Sequence, residues 1–95
     1  AEKIQFLFIN PLNEIIITGT VKNITETGIL FLPDMPANTS ELKEGEILTQ
    51  CSLKIGNDVI SPVCKIKSNT LTLNLIFAGL NQTEHSLIAD FISAA

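Results

Sequence analysis

The sequence contains no arginine, so all six of its basic residues are lysines. Ten acidic residues outnumber them and leave a net charge of −4. A domain that binds a polyanion ordinarily carries an excess of basic residues. Nucleic acid is therefore not an expected partner. Arginine is also the side chain whose planar guanidinium grips phosphates and guanine edges with paired hydrogen bonds, whereas lysine offers a point charge.

Long apolar runs are missing as well. No stretch approaches the roughly 18–20 consecutive apolar residues of a membrane helix, and the N-terminal part shows no secretory signal pattern. The 45% hydrophobic and 17% charged content of 95 residues is typical of one folded domain, residues 1–95, with a single core. We expect a soluble, cytoplasmic domain without membrane insertion.

Chemically reactive residues are few. Cys51 and Cys64 have no C-x-x-C spacing and the acidic residues form no calcium-loop motif, so we expect no metal and no cofactor. His85 is the one histidine, and on a helix the adjacent Ser86 would point about 100° away, which does not suit a nucleophile–base pair. The expected class is a non-catalytic protein.

The apolar pattern is that of β-strands as far as residue 77. Alternation and turn residues predict six strands, at residues 4–9, 15–24, 29–32, 47–55, 59–67 and 71–77, with a long loop over 33–45. Asn81 and Glu84 form a capping box, followed by an apolar stripe that predicts a helix over about residues 82–92. This order is typical of an all-β domain, either a small antiparallel barrel or a sandwich, closed by a terminal helix.

The two strands around Gly56 predict a hairpin. A loop of Asn57 and Asp58 would make Cys51 and Cys64 a cross-strand pair and would keep both apolar sets on the core face. Two interpretations stay open for that pair. In the first, both cysteines are reduced and pack as small hydrophobic side chains; in the second, they form a cross-strand disulfide.

The segment from Asn23 to Ile29, N-I-T-E-T-G-I, resembles the D/N-x-S-x-x-G motif of PilZ domains. The chain continues similarly, with an L-x-x-G sequence at 42–45, an apolar hairpin, a strand that ends in a phenylalanine, and a terminal helix. The resemblance covers roughly residues 15–92. It implies a six-stranded antiparallel β-barrel over about residues 4–77 with a C-terminal α-helix.

The resemblance also implies a link to the bacterial second messenger cyclic di-GMP. At the motif positions, Asn23 could hydrogen-bond a purine edge, Thr25 retains a hydroxyl, and Gly28 allows positive φ or a close backbone approach. The alternative interpretation is a turn between strands, stabilised by local hydrogen bonds of Asn and Thr.

The family's second motif, R-x-x-x-R, is absent. Lys3 and Leu7 are the residues at that spacing, and neither has a forked cationic group. Two lost charged hydrogen bonds would cost roughly 3–6 kcal/mol, or two to four decades of affinity. We expect a degenerate module that binds another domain or subunit. The alternative is a true cyclic di-GMP receptor that uses arginines from upstream or from another subunit.

An apolar outer surface is the last expectation. Ile16 and Ile76, together with Phe8 or Phe31, are predicted to point away from the core. Such a surface would pack against a second protein domain or subunit.

Overall fold

The computed structural model describes residues 4–94. Over this range the chain forms nine β-strands and one α-helix: β1 Ile4–Ile9, β2 Ile16–Ile17, β3 Gly19–Ile24, β4 Gly28–Pro33, β5 Ile47–Leu48, β6 Cys51–Ile55, β7 Asp58–Ile60, β8 Val63–Asn69, β9 Leu73–Ala78 and α1 Gln82–Ala94. A short 3-10 helix, Pro36–Asn38, lies within the predicted loop.

The strands form two antiparallel sheets. The four-stranded sheet has the order β2-β1-β6-β7, and the five-stranded sheet has the order β3-β4-β9-β8-β5. The prediction of a mainly antiparallel β domain with a C-terminal helix is confirmed. The prediction of six strands in one barrel is not, because the pairing gives nine strands in two sheets within residues 4–94.

The difference in strand number has one cause, which is that three predicted long strands are interrupted. The interruptions lie at Thr18, at residues 49–50 and at residues 61–62, and in each case the two halves belong to different sheets. Pro62 explains one of them, since proline has no N–H to donate to a ladder. Both halves of each strand still contribute apolar side chains to the same interior, so the sequence pattern runs on across the break.

β6 and β7 form the predicted hairpin, but its register differs by two residues. Ile55 pairs with Asp58 and not with Ile60, so the loop residues are Gly56 and Asn57. Gly56 has a φ of 62°, which suits the first central position of a type II′ turn and which glycine adopts without steric cost. A shift of two residues retains the face of every side chain, and the apolar face of β6 therefore remains inward.

The interior between the sheets contains a group of three aromatic rings. Phe6 and Phe31 meet edge to face with their ring centroids 5.3 Å apart, and Phe8 lies 6.0 Å from Phe6. The prediction that Phe8 or Phe31 points outward is wrong, because both are fully buried. Ile16 and Ile76 do lie at the surface, with exposed fractions of 61% and 36%.

The terminal helix begins as predicted. The Glu84 amide donates to Asn81 Oδ1 at 2.8 Å and the Asn81 amide donates to Glu84 Oε1 at 3.0 Å, which is a complete capping box. Ile88 is fully buried and Phe91 is partly buried against the core, so the helix closes one end of the interior. Among residues 4–94, no helix is long and apolar enough to cross a bilayer.

Candidate ligand-binding site

The outer face of the five-stranded sheet carries a hollow of about 280 Å³, which we call the sheet hollow. Its lining comes from β3, the β3–β4 turn, β4, β8 and β9, and the residues are Asn23, Thr25, Thr27, Gly28, Ile29, Leu30, Lys67, Asn74, Leu75 and Ile76. The three described residues of the PilZ-like motif, at positions 23, 25 and 28, are thus brought together in one cavity.

Strand register places polar groups on opposite walls of the sheet hollow. Asn23 pairs with Leu30, Leu30 pairs with Asn74, and Asn74 pairs with Ser68, so these four residues form one row across the sheet. The row has an exposed asparagine at its β3 edge, a half-buried asparagine on β9, and a leucine between them. Two amide groups and an apolar floor can together receive the edge and the face of a planar ligand.

Each of the outer walls contains a β-bulge. The register shifts between Val21 and Asn23 on β3, and between Ile66 and Ser68 on β8, which leaves Lys22 and Lys67 as the inserted residues. Bulges increase local twist and redirect side chains. The β8 bulge lies at Lys67, which lines the hollow. Among residues 4–94, Lys67 is the one cationic side chain of this lining.

Gly28 is required by close packing of the backbone. A Cβ atom at this position would overlap the carbonyl oxygen of Leu75 on the neighbouring strand β9. The φ of Gly28 is not positive. Of the two predicted roles for this glycine, close approach is therefore confirmed and positive φ is wrong.

The Thr25 hydroxyl is occupied by its own turn. Its Oγ1 accepts the amides of Thr27 and Gly28 at 3.2 and 3.3 Å, and it lies 3.1 Å from Thr27 Oγ1. The Thr25 amide also donates to the Gly28 carbonyl at 2.9 Å. These contacts are those of the local turn that we considered as the alternative to a ligand site.

Lys3, the candidate ligand-binding lysine at the R-x-x-x-R spacing, lies outside the described residues, so the structure does not place it. Leu7, the other residue at that spacing, is 39% exposed on β1 of the four-stranded sheet. Sequence reasoning missed Lys67 and Asn74. A lysine in a strand ordinarily indicates a solvent-facing position, and the bulge that directs Lys67 into the hollow has no signature in the alternation of β8.

A contact outside the hollow ties its turn to the helix. His85 Nε2 lies 3.2 Å from Glu26 Oε1, and both side chains are about half exposed, at 47% and 53%. The tip of the β3–β4 turn is thus held against the first turn of α1. Within residues 4–94, no group of three or more His, Cys, Asp or Glu side chains is arranged to hold a metal ion.

The two cysteines are not cross-strand partners, so that prediction is wrong. Cys51 pairs with Phe8 in the four-stranded sheet, whereas Cys64 pairs with Leu48 and Phe77 in the five-stranded sheet. The error has two causes. The predicted hairpin register was shifted by two residues, and the chain breaks at Pro62, after which β8 belongs to the other sheet. Both thiols are free and buried.

The thiols are nevertheless neighbours across the interior. A hydrogen bond from the Cys64 side chain lowers the pKa of Cys51 below its ordinary value, against the opposing effect of burial. The same contact, together with burial, raises the pKa of Cys64 above its ordinary value. Cys51 Sγ in turn donates to the Leu48 carbonyl at 3.4 Å.

Comparison with known proteins identifies the family. The model of the TP_0454 C-terminal domain matches residues 3–91 of this chain. An uncharacterized protein of Treponema pallidum (strain Nichols) is 39% identical over 65 residues, which are 68% of this chain. The aligned region spans about 28% of the length of that relative. The chain belongs to the TP_0454 C-terminal domain family.

Proposed function

We propose that this member of the TP_0454 C-terminal domain family is a non-catalytic, PilZ-like signalling and interaction module with weak or no intrinsic affinity for cyclic di-GMP. The observation that carries the proposal is the sheet hollow. Asn23, Thr25 and Gly28 line it together, yet Lys67 is the single lysine of its lining within the part of the chain that the structure describes.

The strand connections support a PilZ-like architecture. The pairs β2–β3, β5–β6 and β7–β8 each cross from one sheet to the other. The ladders run from β3 through β4, β9 and β8 to β5, and from β6 through β1 to β2. With each crossing pair counted as one bent strand, the ladders can be followed in the order of a six-stranded barrel, and this supports the proposed PilZ-like architecture.

The chemistry of the lining supports weak binding. A guanine edge and a phosphate are both recognised best by a forked cation, which lysine lacks. The Thr25 hydroxyl already accepts two amides of its own turn. A ligand that approached Thr25 would have to replace these contacts and not simply add to them.

Titration calorimetry with cyclic di-GMP tests the proposal directly. We expect no saturable heat below a ligand concentration of about 100 μM, because two missing arginine contacts remove two to four decades of affinity. Saturable binding with a Kd under about 10 μM would overturn the proposal. Asn23→Ala is the matched variant, since it removes a lining amide and leaves the Thr25 turn intact.

A second candidate function is a true cyclic di-GMP receptor. It is favoured by the accessibility of the sheet hollow and by the amides of Asn23 on β3 and Asn74 on β9, which lie on either side of Leu30. The missing arginines would come from residues upstream of this chain or from another subunit. Tight binding by a chain that includes upstream arginines, or by an assembly with a second subunit, that is lost on Asn23→Ala would support the receptor over the degenerate module.

We also propose that the partner is another protein domain or subunit in the bacterial cytoplasm. Ile16 and Met35, with exposed fractions of 61% and 64%, line one shallow cleft at the β2 side of the domain. Exposed apolar side chains that adjoin one another are typical of protein contacts. Sedimentation at increasing concentration checks the self-associating form of this proposal, and a constant monomer mass would exclude it.

A further inference from the structure

Cys51 and Cys64 belong to different sheets, but both meet Leu48. Cys51 Sγ donates to the Leu48 carbonyl at 3.4 Å, and Cys64 is the direct ladder partner of Leu48 in the five-stranded sheet. The exposed fractions are 5% for Cys51 and 0% for Cys64. The strands β5 and β6 are separated by only two residues, and the shared contacts with Leu48 place both cysteines at the same corner of the interior.

We propose that Cys51 and Cys64 form a redox site, in which a low-molecular-weight disulfide oxidises the two thiols to a disulfide bond that links the two sheets. The proposal is independent of nucleotide binding, since neither cysteine lines the sheet hollow.

The reaction balances as two exchange steps. The Cys51 thiolate attacks one sulfur of the reagent, whose S–S bond breaks and releases the first small thiol. The Cys64 thiolate then attacks the Cys51 sulfur of the mixed disulfide and displaces the second small thiol. The protein loses two protons and two electrons in total, and the reagent takes them up and is reduced to two thiols.

The assignment of Cys51 as the attacking group follows from its surroundings. It is the less buried of the two, with an exposed fraction of 5% against 0% for Cys64, and it directly follows the exposed residues 49–50. The contact with Cys64 also lowers the pKa of Cys51. The thiol that the reagent reaches first, with the larger thiolate fraction, is the attacking group.

Reagent access requires only local opening. β5 consists of two residues, Ile47 and Leu48, at the edge of the five-stranded sheet, and its two ladder pairs are with Lys65 and Cys64. The connecting residues 49–50 are exposed. A strand this short at a sheet edge opens at a lower free energy than the rest of the domain, and its opening uncovers both sulfurs.

The test is equilibration of the reduced 95-residue chain with mixtures of reduced and oxidised glutathione, followed by intact mass measurement. We expect the mass to fall by two hydrogen atoms without a glutathione adduct, and peptide mapping to join residues 51 and 64. We also expect the thermal midpoint to rise by roughly 10 °C, because the cross-link restricts the unfolded chain.

Cys51→Ser is the matched control, because it leaves one thiol and should give at most a glutathione adduct at Cys64. Three results would overturn the proposal: an unchanged mass under fully oxidising conditions, stable adducts at both cysteines, or cross-linking between two chains. Mapping of the unsubstituted protein decides the question even where the variant fails to fold.

Discussion

The interior and the sheet hollow are built from alternate residues of the same strands, but they depend on different properties of those residues. On β4, Phe31 is fully buried between the sheets, while the adjacent Leu30 is half-buried in the lining of the hollow. On β9, Leu75 faces the interior and Asn74 lies in the row across the hollow. Side-chain volume maintains the interior, whereas backbone geometry maintains the hollow. The lining can therefore change its chemistry without loss of the fold.

The strongest test of this comparison is truncation on each face of β4. Phe31→Ala removes a ring that contacts two others, and we expect the free energy of unfolding to fall by about 3–5 kcal/mol. Leu30→Ala removes a side chain that is only half-buried, and we expect a loss of about 1 kcal/mol. Urea denaturation at equilibrium measures both. Equal losses would show that the hollow is as tightly packed as the interior.

Gly28→Ala separates backbone geometry from lining chemistry. Its methyl group would overlap the Leu75 carbonyl, so β4 and β9 must move apart. We expect a loss of about 1–3 kcal/mol in the free energy of unfolding, a magnitude typical of overpacking. Thr27→Ser, which keeps the hydroxyl beside Thr25 Oγ1, is the control one residue away, with an expected change within about 0.5 kcal/mol. A neutral Gly28→Ala would mean that the hollow does not depend on this close approach.

Thr25→Val removes the hydroxyl at the centre of the β3–β4 turn and retains the side-chain shape. Two amide contacts are lost, and we expect a destabilisation of about 1 kcal/mol with faster exchange of the Thr27 and Gly28 amide hydrogens. Thr25→Ser keeps the hydroxyl and should exchange like the unsubstituted protein. Unchanged exchange in Thr25→Val would instead favour a hydroxyl that is available to a ligand.

His85→Ala should have the smallest effect, because it removes one exposed contact with Glu26, which is an ion pair when the imidazole is protonated. We expect a loss of about 0.2–1 kcal/mol at low salt that disappears in about 1 M salt. Glu26→Gln should give the same salt dependence, since it removes the other partner of the pair. A loss that persists at high salt would show that the helix supports the turn by packing and not by charge.

The terminal helix and the main strand positions are predictable from sequence because their causes are local. The capping box of Asn81 and Glu84 satisfies backbone groups within one turn of chain, and alternation records which face of a strand is buried. The prediction for β9 was two residues too long at its start, where Leu71 is 81% exposed. A leucine that fits the alternation does not reveal that it still belongs to the turn between β8, which ends at Asn69, and β9.

The errors concern features that depend on distant parts of the chain. Where a bent strand passes from one sheet to the other, the apolar pattern is the same as in a continuous strand. The alternation therefore does not reveal the breaks at Thr18 and at residues 61–62. The hollow shows the same limit. Its motif residues were predicted, but Lys67 and Asn74 reach it through a bulge and a ladder register that only the assembled sheet defines.

The position of Ile88 has a consequence for synthesis of the protein. This fully buried residue lies on α1, which follows all nine strands in chain order within residues 4–94. Every strand therefore leaves the ribosome before the Ile88 side chain that completes the interior. Until α1 emerges and packs, one end of the apolar interior of the nascent domain stays uncovered. A ribosome that stalls before it reads the codon of Ile88 would leave a polypeptide that chaperones and proteases recognise as unfinished.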